Sequence, residues 1–300
     1  MLGEVPIKIG LDDPFTGTYA ELGLQEKIGC ELAVAEINRK GGILGRHVEL
    51  IVEGSSSTDT GTAVQEAQKL IDHDKVNFLL GNVKSARALA TGNLSHRDGV
   101  LLVATGGHTD VVTGTEGTLK KFGGTEAGAS LTPLGTTDFS FYLIKAEAAK
   151  PNVIIFLTAG QDAVSLLKQA VQFGLDKKFH IAGVQQELEV LEGLPPQARI
   201  GTWVFEWYWE QPNDPHVKEF VASIRKVNNG KVPTTRLWFG CAATWTCVLV
   251  ANEKKTLRAE TLAEGLENFT LPLKAAVMPD KVFYRAGDHQ LMPDLYVVTR

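Results

Sequence analysis

Two short acidic clusters come nearest to carrying chemistry in this sequence. Asp72-His73-Asp74 holds two carboxylates and an imidazole, which are groups that bind metal ions. Because the cluster follows a helical pattern, we expect a solvated turn there rather than a metal site. Asp12 and Asp13 follow the first predicted strand, where adjacent side chains point in different directions. They therefore make a poor general acid and base pair.

The motifs of common catalytic and cofactor sites are absent. A G-x-G-x-x-G pattern after the first strand would indicate a dinucleotide site, but the spacing of Gly10 and Gly17 does not fit it. The chain contains no phosphate-binding G-x-x-x-x-G-K-S/T loop, no G-x-S-x-G nucleophile elbow and no H-E-x-x-H zinc pair. We therefore expect no enzyme and no cofactor, and the absence favours a binding protein.

The chain has three cysteines, Cys30, Cys241 and Cys247, and no two of them form a C-x-x-C pair. Neither a disulfide framework nor a thiolate zinc site follows from them. One bridge remains an alternative, but the usual burial of free cysteine favours three buried thiols.

The composition excludes several classes of protein. The chain has 300 residues, of which 44% are hydrophobic and 22% charged, with a net charge of −5. Such a chain is not disordered, and it has room for one large domain or two lobes. The small negative charge argues against nucleic acid or an anionic membrane as the partner. The first residues carry no export signal, which leaves a cytosolic protein and a mature exported chain both open.

Strands and helices alternate along the first part of the chain. Apolar strands are predicted at 6–11, 48–52, 76–80 and 100–103, with helices after the first two of them. Ser55–Thr58 is expected to cap the second helix. Uninterrupted apolar strands separated by helices indicate a parallel sheet with both faces covered.

The same alternation restarts later in the chain. Further strands are predicted at 153–157, 179–182, 201–208, 282–284 and 295–298. We therefore predict an α/β fold of two Rossmann-like lobes with mostly parallel sheets, each covered by helices on both faces. Lobe one is expected to comprise residues 1–114 completed by 236–290, and lobe two residues 115–235 completed by 291–300.

The carboxyl ends of the predicted strands suggest a cleft for a small ligand. In open α/β sheets ligands bind beyond these ends, which here carry small, hydroxyl and amide residues with a few aromatics. Such residues suit a small polar ligand held by backbone N–H groups and hydroxyls. Trp203, Phe205 and Trp207 alternate along one strand, so core packing is favoured over a wall against an aromatic ligand.

Several segments together resemble one known family. Ile7–Gly10 is followed by Pro14–Gly23, and the helix ending Glu36-Ile37-Asn38 is followed by Gly41–Arg46. The segments 133–140 and 285–290 add to the likeness. Over almost the whole chain the sequence resembles the type I periplasmic binding proteins, specifically the branched-chain (leucine/isoleucine/valine) amino-acid group.

The resemblance implies a solute-binding protein of an ABC importer. Such a protein would capture a small carboxylate, either a branched-chain amino acid or an aromatic or aliphatic acid, and deliver it to a membrane permease. The resemblance implies a periplasmic or cell-surface location, with neither a cofactor nor a nucleic-acid partner, and we expect a monomer. The alternative is a ligand-sensing regulatory domain on the same fold, coupled to a protein partner.

The resemblance also implies the ligand-binding residues. Lobe one would hold the ligand's carboxylate and pack against the ligand, and lobe two would close over it. The implied residues are Tyr19, Ser85, Ala86, Thr105, Gly106 and His108 in lobe one, with Gly160, Gln161 and Gln185 in lobe two. The family implies an acidic residue near Gln185 for the α-ammonium of an amino acid, so a neutral amide there weakens that choice of ligand.

The chain departs from the family at one further place. Between Gly114 and Leu131 the family carries several dozen more residues, including a central strand of lobe two. A segment omitted from this sequence and a true deletion both remain open, and the continuous numbering favours the deletion. In that case lobe two is expected to expose an apolar seam.

Overall fold

The computed structural model describes residues 5–56, 59–107, 120–183, 187–211 and 214–299. The helices are α1 (Ala20–Arg39), α2 (Thr60–Asp72), α3 (Ser85–Asp98), α4 (Ser140–Ala148), α5 (Gly160–Gln172), α6 (Leu188–Glu192), α7 (Pro215–Val227), α8 (Thr235–Lys254), α9 (Ala259–Leu266) and α10 (Leu273–Ala276). The strands are β1 (Ile7–Thr16), β2 (Val48–Ser56), β3 (Phe78–Gly81), β4 (Leu101–Ala104), β5 (Val153–Phe156), β6 (His180–Gly183), β7 (Thr202–Phe205), β8 (Thr270–Leu271), β9 (Val282–Tyr284), β10 (Leu291–Met292) and β11 (Tyr296–Thr299). The predicted α/β class is confirmed.

Lobe one is built on a parallel sheet with the strand order β2-β1-β3-β4. Successive residues of β3 serve opposite faces of this sheet, because side chains alternate along a strand. Phe78 and Leu80 enter a core with α1 and α8, whereas Leu79 enters a second core with α2 and α3. Helices therefore cover both faces, as predicted for apolar parallel strands.

Helices α1 and α8 approach each other through glycines. A Cβ built on Gly29 would lie 2.0 Å from the backbone oxygen of Leu237, and one built on Gly240 would lie 2.2 Å from that of Glu26. Only residues without a side chain allow two helix backbones to come so close. This contact sets the position of Glu26 relative to Arg236, which lies in the first turn of α8.

The three cysteines lie in the same lobe-one core and are free and buried, which confirms the prediction of buried thiols. The Cys30 thiol donates to the Gly240 oxygen at 3.5 Å, and the Cys241 thiol donates to the Gly29 oxygen at 3.1 Å. These contacts are reciprocal, so the thiols fill the space beside the glycine contact between α1 and α8.

Lobe two is built on a sheet with the order β11-β7-β6-β5, in which β11 runs antiparallel to β7. One face carries a packed core that includes Ile154 and Phe156 of β5. On the other face Val153, Ile155 and Leu157 are 43%, 40% and 46% exposed. The expectation of helices on both faces is therefore wrong for β5, because no described helix covers these side chains.

The cap of α2 also differs from the prediction. Asp59, immediately before the helix, accepts a hydrogen bond from the Thr62 backbone N–H at 3.1 Å. A short carboxylate at this position satisfies one of the unpaired N–H groups at a helix start. The expected cap within Ser55–Thr58 was therefore wrong, and the cap lies one residue later.

The last part of the chain returns to both lobes. Strands β8, β9 and β10 form a small antiparallel sheet in the order β10-β9-β8, while β11 joins the sheet of lobe two. Val217 and Ile224 of α7 pack into the core shared with α1 and α8.

The division of the chain into 1–114 with 236–290 and 115–235 with 291–300 stays a prediction. Across the described ranges, no helix is long and apolar enough to cross a membrane.

Candidate functional site

The acidic pair lies within β1, which runs to Thr16, so the prediction that Asp12 and Asp13 follow the strand is wrong. The pair holds a neighbouring loop in place. Asp13 Oδ1 accepts from the backbone N–H groups of Asn82 at 2.8 Å and Val83 at 3.2 Å. Asp12 Oδ1 accepts from Arg87 Nη2 at 2.7 Å, and both side chains are fully buried. The two carboxylates thus point to different partners, as the sequence predicts. They fix the loop between β3 and α3.

That loop presents Ser85 and Ala86 at the start of α3. Ser85 is half-buried and Ala86 is exposed. A Cβ on Gly107 would lie 3.8 Å from the Ser85 Cα, so the start of α3 lies beside the chain that leaves β4. The N-terminus of this 14-residue helix presents backbone N–H groups and the positive end of its dipole to that region.

The end of β4 contributes Thr105 and Gly106. The Thr105 hydroxyl donates to Glu26 Oε1, which joins the strand end to α1. A Cβ on Gly106 would lie 2.6 Å from the Val83 Cα and 2.6 Å from Arg236 Nη1. Glycine is therefore needed at this position, and the guanidinium of Arg236 reaches the backbone at the end of β4.

Glu26 is fully buried beside this strand end. Burial raises its pKa to about 7, while the hydrogen bond from Thr105 and the charge of Arg236 act in the opposite direction. Burial also raises the pKa of Asp13 well above its usual value, and the charge of Glu26 adds to that rise. Lobe one therefore holds protonatable carboxyl groups beneath the cleft.

The two lobes meet where Tyr19 faces the start of α5. The Gln161 backbone N–H donates to the Thr18 oxygen at 3.1 Å. Gly160 has a φ of +57°, and a Cβ there would lie 2.4 Å from the Thr18 oxygen and 2.9 Å from Tyr19 Cδ1. Burial raises the pKa of the Tyr19 phenol to about 12, and the charge of Asp162 adds to the rise.

A buried ion pair joins the lobes beside this contact. Arg236 Nε and Nη2 each lie 2.6 Å from Glu187 Oε1, and both side chains are 2% exposed. Glu187 Oε2 accepts from the Gly160 backbone N–H at 3.4 Å. Because Glu187 immediately precedes α6 of lobe two, the pair connects α8 to lobe two.

The sequence analysis missed both members of this pair, although a signal for each was present. Arg236 is the only charged residue between Val232 and Asn252, in a segment that is otherwise largely apolar. The family resemblance implies an acidic side chain near Gln185, and Glu187 lies only two residues after it. A single charge at the start of an apolar helix indicates a buried partner, because an unpaired buried charge is costly.

The structure brings most of the implied ligand residues together. Tyr19, Gly160 and Gln161 meet at the contact between the lobes, and Thr105 and Gly106 lie beside the Arg236–Glu187 pair. Ser85 and Ala86 begin the neighbouring helix, with Ala86 exposed. His108 and Gln185 lie outside the described residues. The assignment of these residues to a ligand stays a prediction.

Two other candidates do not form sites. Trp203, Phe205 and Trp207 are buried, and the Trp207 indole donates to the Val277 oxygen at 2.8 Å, so this run belongs to the packed cores. His73 pairs with Asp74 at 2.9 Å with its side chain largely exposed. The described residues contain no group of three or more side chains that could hold a metal ion.

A cavity of about 410 Å³ lies elsewhere, between α1, α7 and α8. Its lining mixes acidic and basic side chains, including Glu36, Arg39 and Glu219, with the indole of Trp245. None of the residues implied for ligand binding lines it.

Two α/β lobes whose strand ends meet across a polar, buried contact define a two-lobed binding protein. The family model for periplasmic binding proteins matches residues 6–115 and 107–299. The chain therefore belongs to the periplasmic binding protein family, which confirms the resemblance seen in its motifs.

Individual relatives agree with this family. The chain is 36% identical over 100 residues to a Leu/Ile/Val-binding protein homolog 2 of Brucella abortus, a stretch that spans 33% of this chain and 26% of that relative's length. A branched-chain amino acid transporter substrate binding protein of Streptococcus pneumoniae, solved with isoleucine, superposes with a TM-score of 0.83 at 19% identity. That likeness covers 99% of this chain and 96% of the other.

A second solved structure shares the fold. A solute binding protein of an ABC transporter from Rhodopseudomonas palustris, in complex with 3,4-dihydroxybenzoic acid, has a TM-score of 0.85 at 18% identity, covering 98% of this chain and 93% of that one. At these identities the likeness establishes the fold, and the predicted type I two-lobed architecture is confirmed.

Proposed function

We propose that this protein captures a small carboxylate between its two lobes and delivers it to an ABC permease outside the cytoplasm. The observation that carries the proposal is the convergence of the lobe-one strand end at Thr105-Gly106 with the lobe-two residues Gly160 and Glu187 around Arg236. Closure of the lobes is a population shift, which a ligand drives by contacting both of them. Membership of the family supports the extracytoplasmic location.

The ligand is proposed to be an aromatic or aliphatic acid rather than a branched-chain amino acid. Gln185, a neutral amide, stands where the family implies an acid for the ligand's ammonium group. Glu187 brings a carboxylate to the cleft, but Arg236 and the Gly160 N–H already engage its two oxygens. Because Arg236 neutralises the Glu187 carboxylate, that carboxylate attracts an ammonium group less strongly.

A binding screen tests the proposal. The purified protein is titrated by calorimetry with leucine, isoleucine, 4-hydroxybenzoate and 3,4-dihydroxybenzoate, and its unfolding temperature is measured with each. A ligand at 100 times its Kd stabilises the folded protein by about 2.7 kcal/mol. Glucose, which carries no carboxylate, is the control. No binding of any acid would overturn the proposed capture, and leucine as the tightest ligand would overturn the preference for acids without an ammonium group.

The protein is further proposed to act as a monomer that docks on the permease. Light scattering on the purified chain should give a mass near 32.5 kDa, with and without ligand. A mass twice as large at micromolar concentration would contradict the monomer.

A further inference from the structure

Arg236 has one nitrogen without a partner inside the cleft. Its Nε and Nη2 atoms contact Glu187 Oε1, but Nη1 is buried and has no hydrogen-bond partner. The side chain is 98% buried, since only 2% of its surface is exposed. An orphaned donor on a buried guanidinium costs free energy until an acceptor arrives, because the group keeps its charge at all physiological pH values.

The position of Nη1 is fixed by its surroundings. Glu187 holds the other two nitrogens, and the planar guanidinium transmits that restraint to the third. Gly106 allows Nη1 to approach the backbone at the end of β4, because a Cβ on it would lie only 2.6 Å from Nη1. The free edge of the guanidinium therefore faces the end of β4, next to Gly107 and the start of α3.

We infer that Nη1 of Arg236 binds the carboxylate of the ligand, so that Arg236 is the anion anchor and a specificity-determining residue of the cleft. This inference rests on the proposed function. A carboxylate oxygen beside Gly106 would receive a charge-assisted hydrogen bond from Nη1, and the N-terminus of α3 would support the same negative charge. Glu187 acts through Arg236 as a positioning residue.

The anchor restricts the class of ligand. A neutral amide or alcohol of the same shape could accept a hydrogen bond from Nη1, but it brings no negative charge to the guanidinium. Charge-assisted bonds are about twice as strong as neutral ones, so small monocarboxylates are favoured over their amides. Amino acids and benzoates both carry a carboxylate that Nη1 could bind. The two pairs of ligands in the experiment distinguish these two classes.

The first measurement uses the wild-type protein and matched ligands. Calorimetry compares 4-hydroxybenzoate with 4-hydroxybenzamide, and leucine with leucinamide. The acid of at least one pair should bind about tenfold or more tightly than its amide. Equal affinity of acid and amide would overturn the anchor while leaving ligand capture intact. Absence of binding by every compound would overturn the proposed function, and the anchor with it.

The second measurement uses variants. Arg236→Lys keeps the positive charge for Glu187 but loses the planar fork, and should weaken the preferred acid about tenfold. The double variant Arg236→Gln with Glu187→Gln removes both charges of the buried pair, and should weaken the binding of the preferred acid about 30-fold or more. Arg97→Gln is the control, since its side chain is 64% exposed on lobe one. Affinity within twofold of wild type in either folded Arg236 variant would overturn the anchor.

Discussion

At the scale of single residues, Ser85 tests the lobe-one half of the proposed cleft. It is half-buried at the start of α3, next to Gly107. Loss of its hydroxyl in Ser85→Ala should weaken the binding of the preferred acid by about 1–2 kcal/mol, because one hydrogen bond to a charged group is removed. Calorimetry measures the change.

The matched control is Ser223→Ala, which removes an exposed hydroxyl on α7. It should bind the acid as the wild type does. Unchanged affinity in Ser85→Ala would remove Ser85 from the site.

A second residue-scale prediction concerns Glu26 and pH. Its pKa in the folded protein, raised by burial to about 7, lies above the ordinary value of 4.5. The folded state therefore holds a proton that the unfolded state releases. The contribution of Glu26 to the free energy of unfolding is fully present below about pH 4.5 and is lost as the pH rises through 7. Between about pH 5 and pH 8 the wild type should lose about 1–3 kcal/mol more than Glu26→Gln, which cannot ionise.

Urea unfolding at several pH values measures this difference. Glu31→Gln, on the same helix with a side chain 52% exposed, is the control and should keep the wild-type profile. Parallel profiles for the wild type and Glu26→Gln would contradict the raised pKa of Glu26.

The sequence indicated those members of the candidate site that lie at strand ends, and missed those placed by tertiary packing. Thr105, Gly106 and Gly160 follow strands of two lobes, and parallel strands bring their carboxyl ends to one edge. Arg236 and Glu187 are 49 residues apart in sequence. Their pairing depends on how α8 packs against α1 and on how lobe two lies over lobe one, which no local pattern encodes.

At the scale of elements, the glycine contact between α1 and α8 carries a prediction. Gly29→Ala places a Cβ 2.0 Å from the Leu237 oxygen, which the backbone cannot avoid without moving a helix. The variant should lose about 1–3 kcal/mol of stability in urea unfolding. It should also weaken ligand binding, because α8 carries Arg236.

Gly92→Ala is the matched control, since Gly92 also lies within a helix, α3. A Cβ there would meet only the Leu102 side chain, at 3.8 Å. Helix propensity alone predicts a gain of up to about 1 kcal/mol for this change. A loss in Gly92→Ala equal to that in Gly29→Ala would show that the close contact is not the cause.

Element types were predicted well from apolar patterns, whereas element ends were not. The strand predicted at 76–80 is observed as Phe78–Gly81, and the one at 201–208 as Thr202–Phe205. Apolar side chains continue beyond both ends of β7, since Ile200 and Trp207 also pack into the cores. Burial and strand pairing are separate properties, and the sequence pattern reports only burial.

At the scale of the whole molecule, lobe two leaves one face of its sheet uncovered by the described helices. We define the seam as Val153, Ile155 and Leu157, which lie on alternate positions of one face and are each at least 40% exposed. Parallel sheets are normally covered on both faces. The seam agrees with the apolar surface expected if residues between Gly114 and Leu131 are missing relative to the family.

The seam should bind an apolar dye. The triple variant Val153→Thr, Ile155→Thr and Leu157→Thr preserves strand-forming residues but removes apolar surface, and should lower dye fluorescence. Leu89→Ser removes an exposed leucine on lobe one; it is the control and should leave the fluorescence unchanged. Equal fluorescence in the wild type and the triple variant would show that the seam is covered in solution.

The deletion itself is proposed to be real, and peptide mapping tests it. Trypsin cuts after Arg97 and Lys120, and no lysine or arginine lies between them. Mass spectrometry of the protein purified from its natural source should detect one continuous peptide that spans residues 98–120. Detection of other peptides after Arg97 in its place would reveal an omitted segment.

The three buried thiols can report how often the core of lobe one opens. All cysteines of the chain lie in one core, where burial raises the pKa of each thiol, that of Cys241 to about 12. A thiol-specific reagent can modify them only after that core opens, since the thiolate is the reactive form. The rate of thiol modification therefore measures how often the core of lobe one opens. Opening of lobe two alone does not contribute to it. A ligand that contacts both lobes should lower the rate of thiol modification, because it stabilises the folded state. Occupancy of the cleft could then be followed through the reactivity of the buried cysteines.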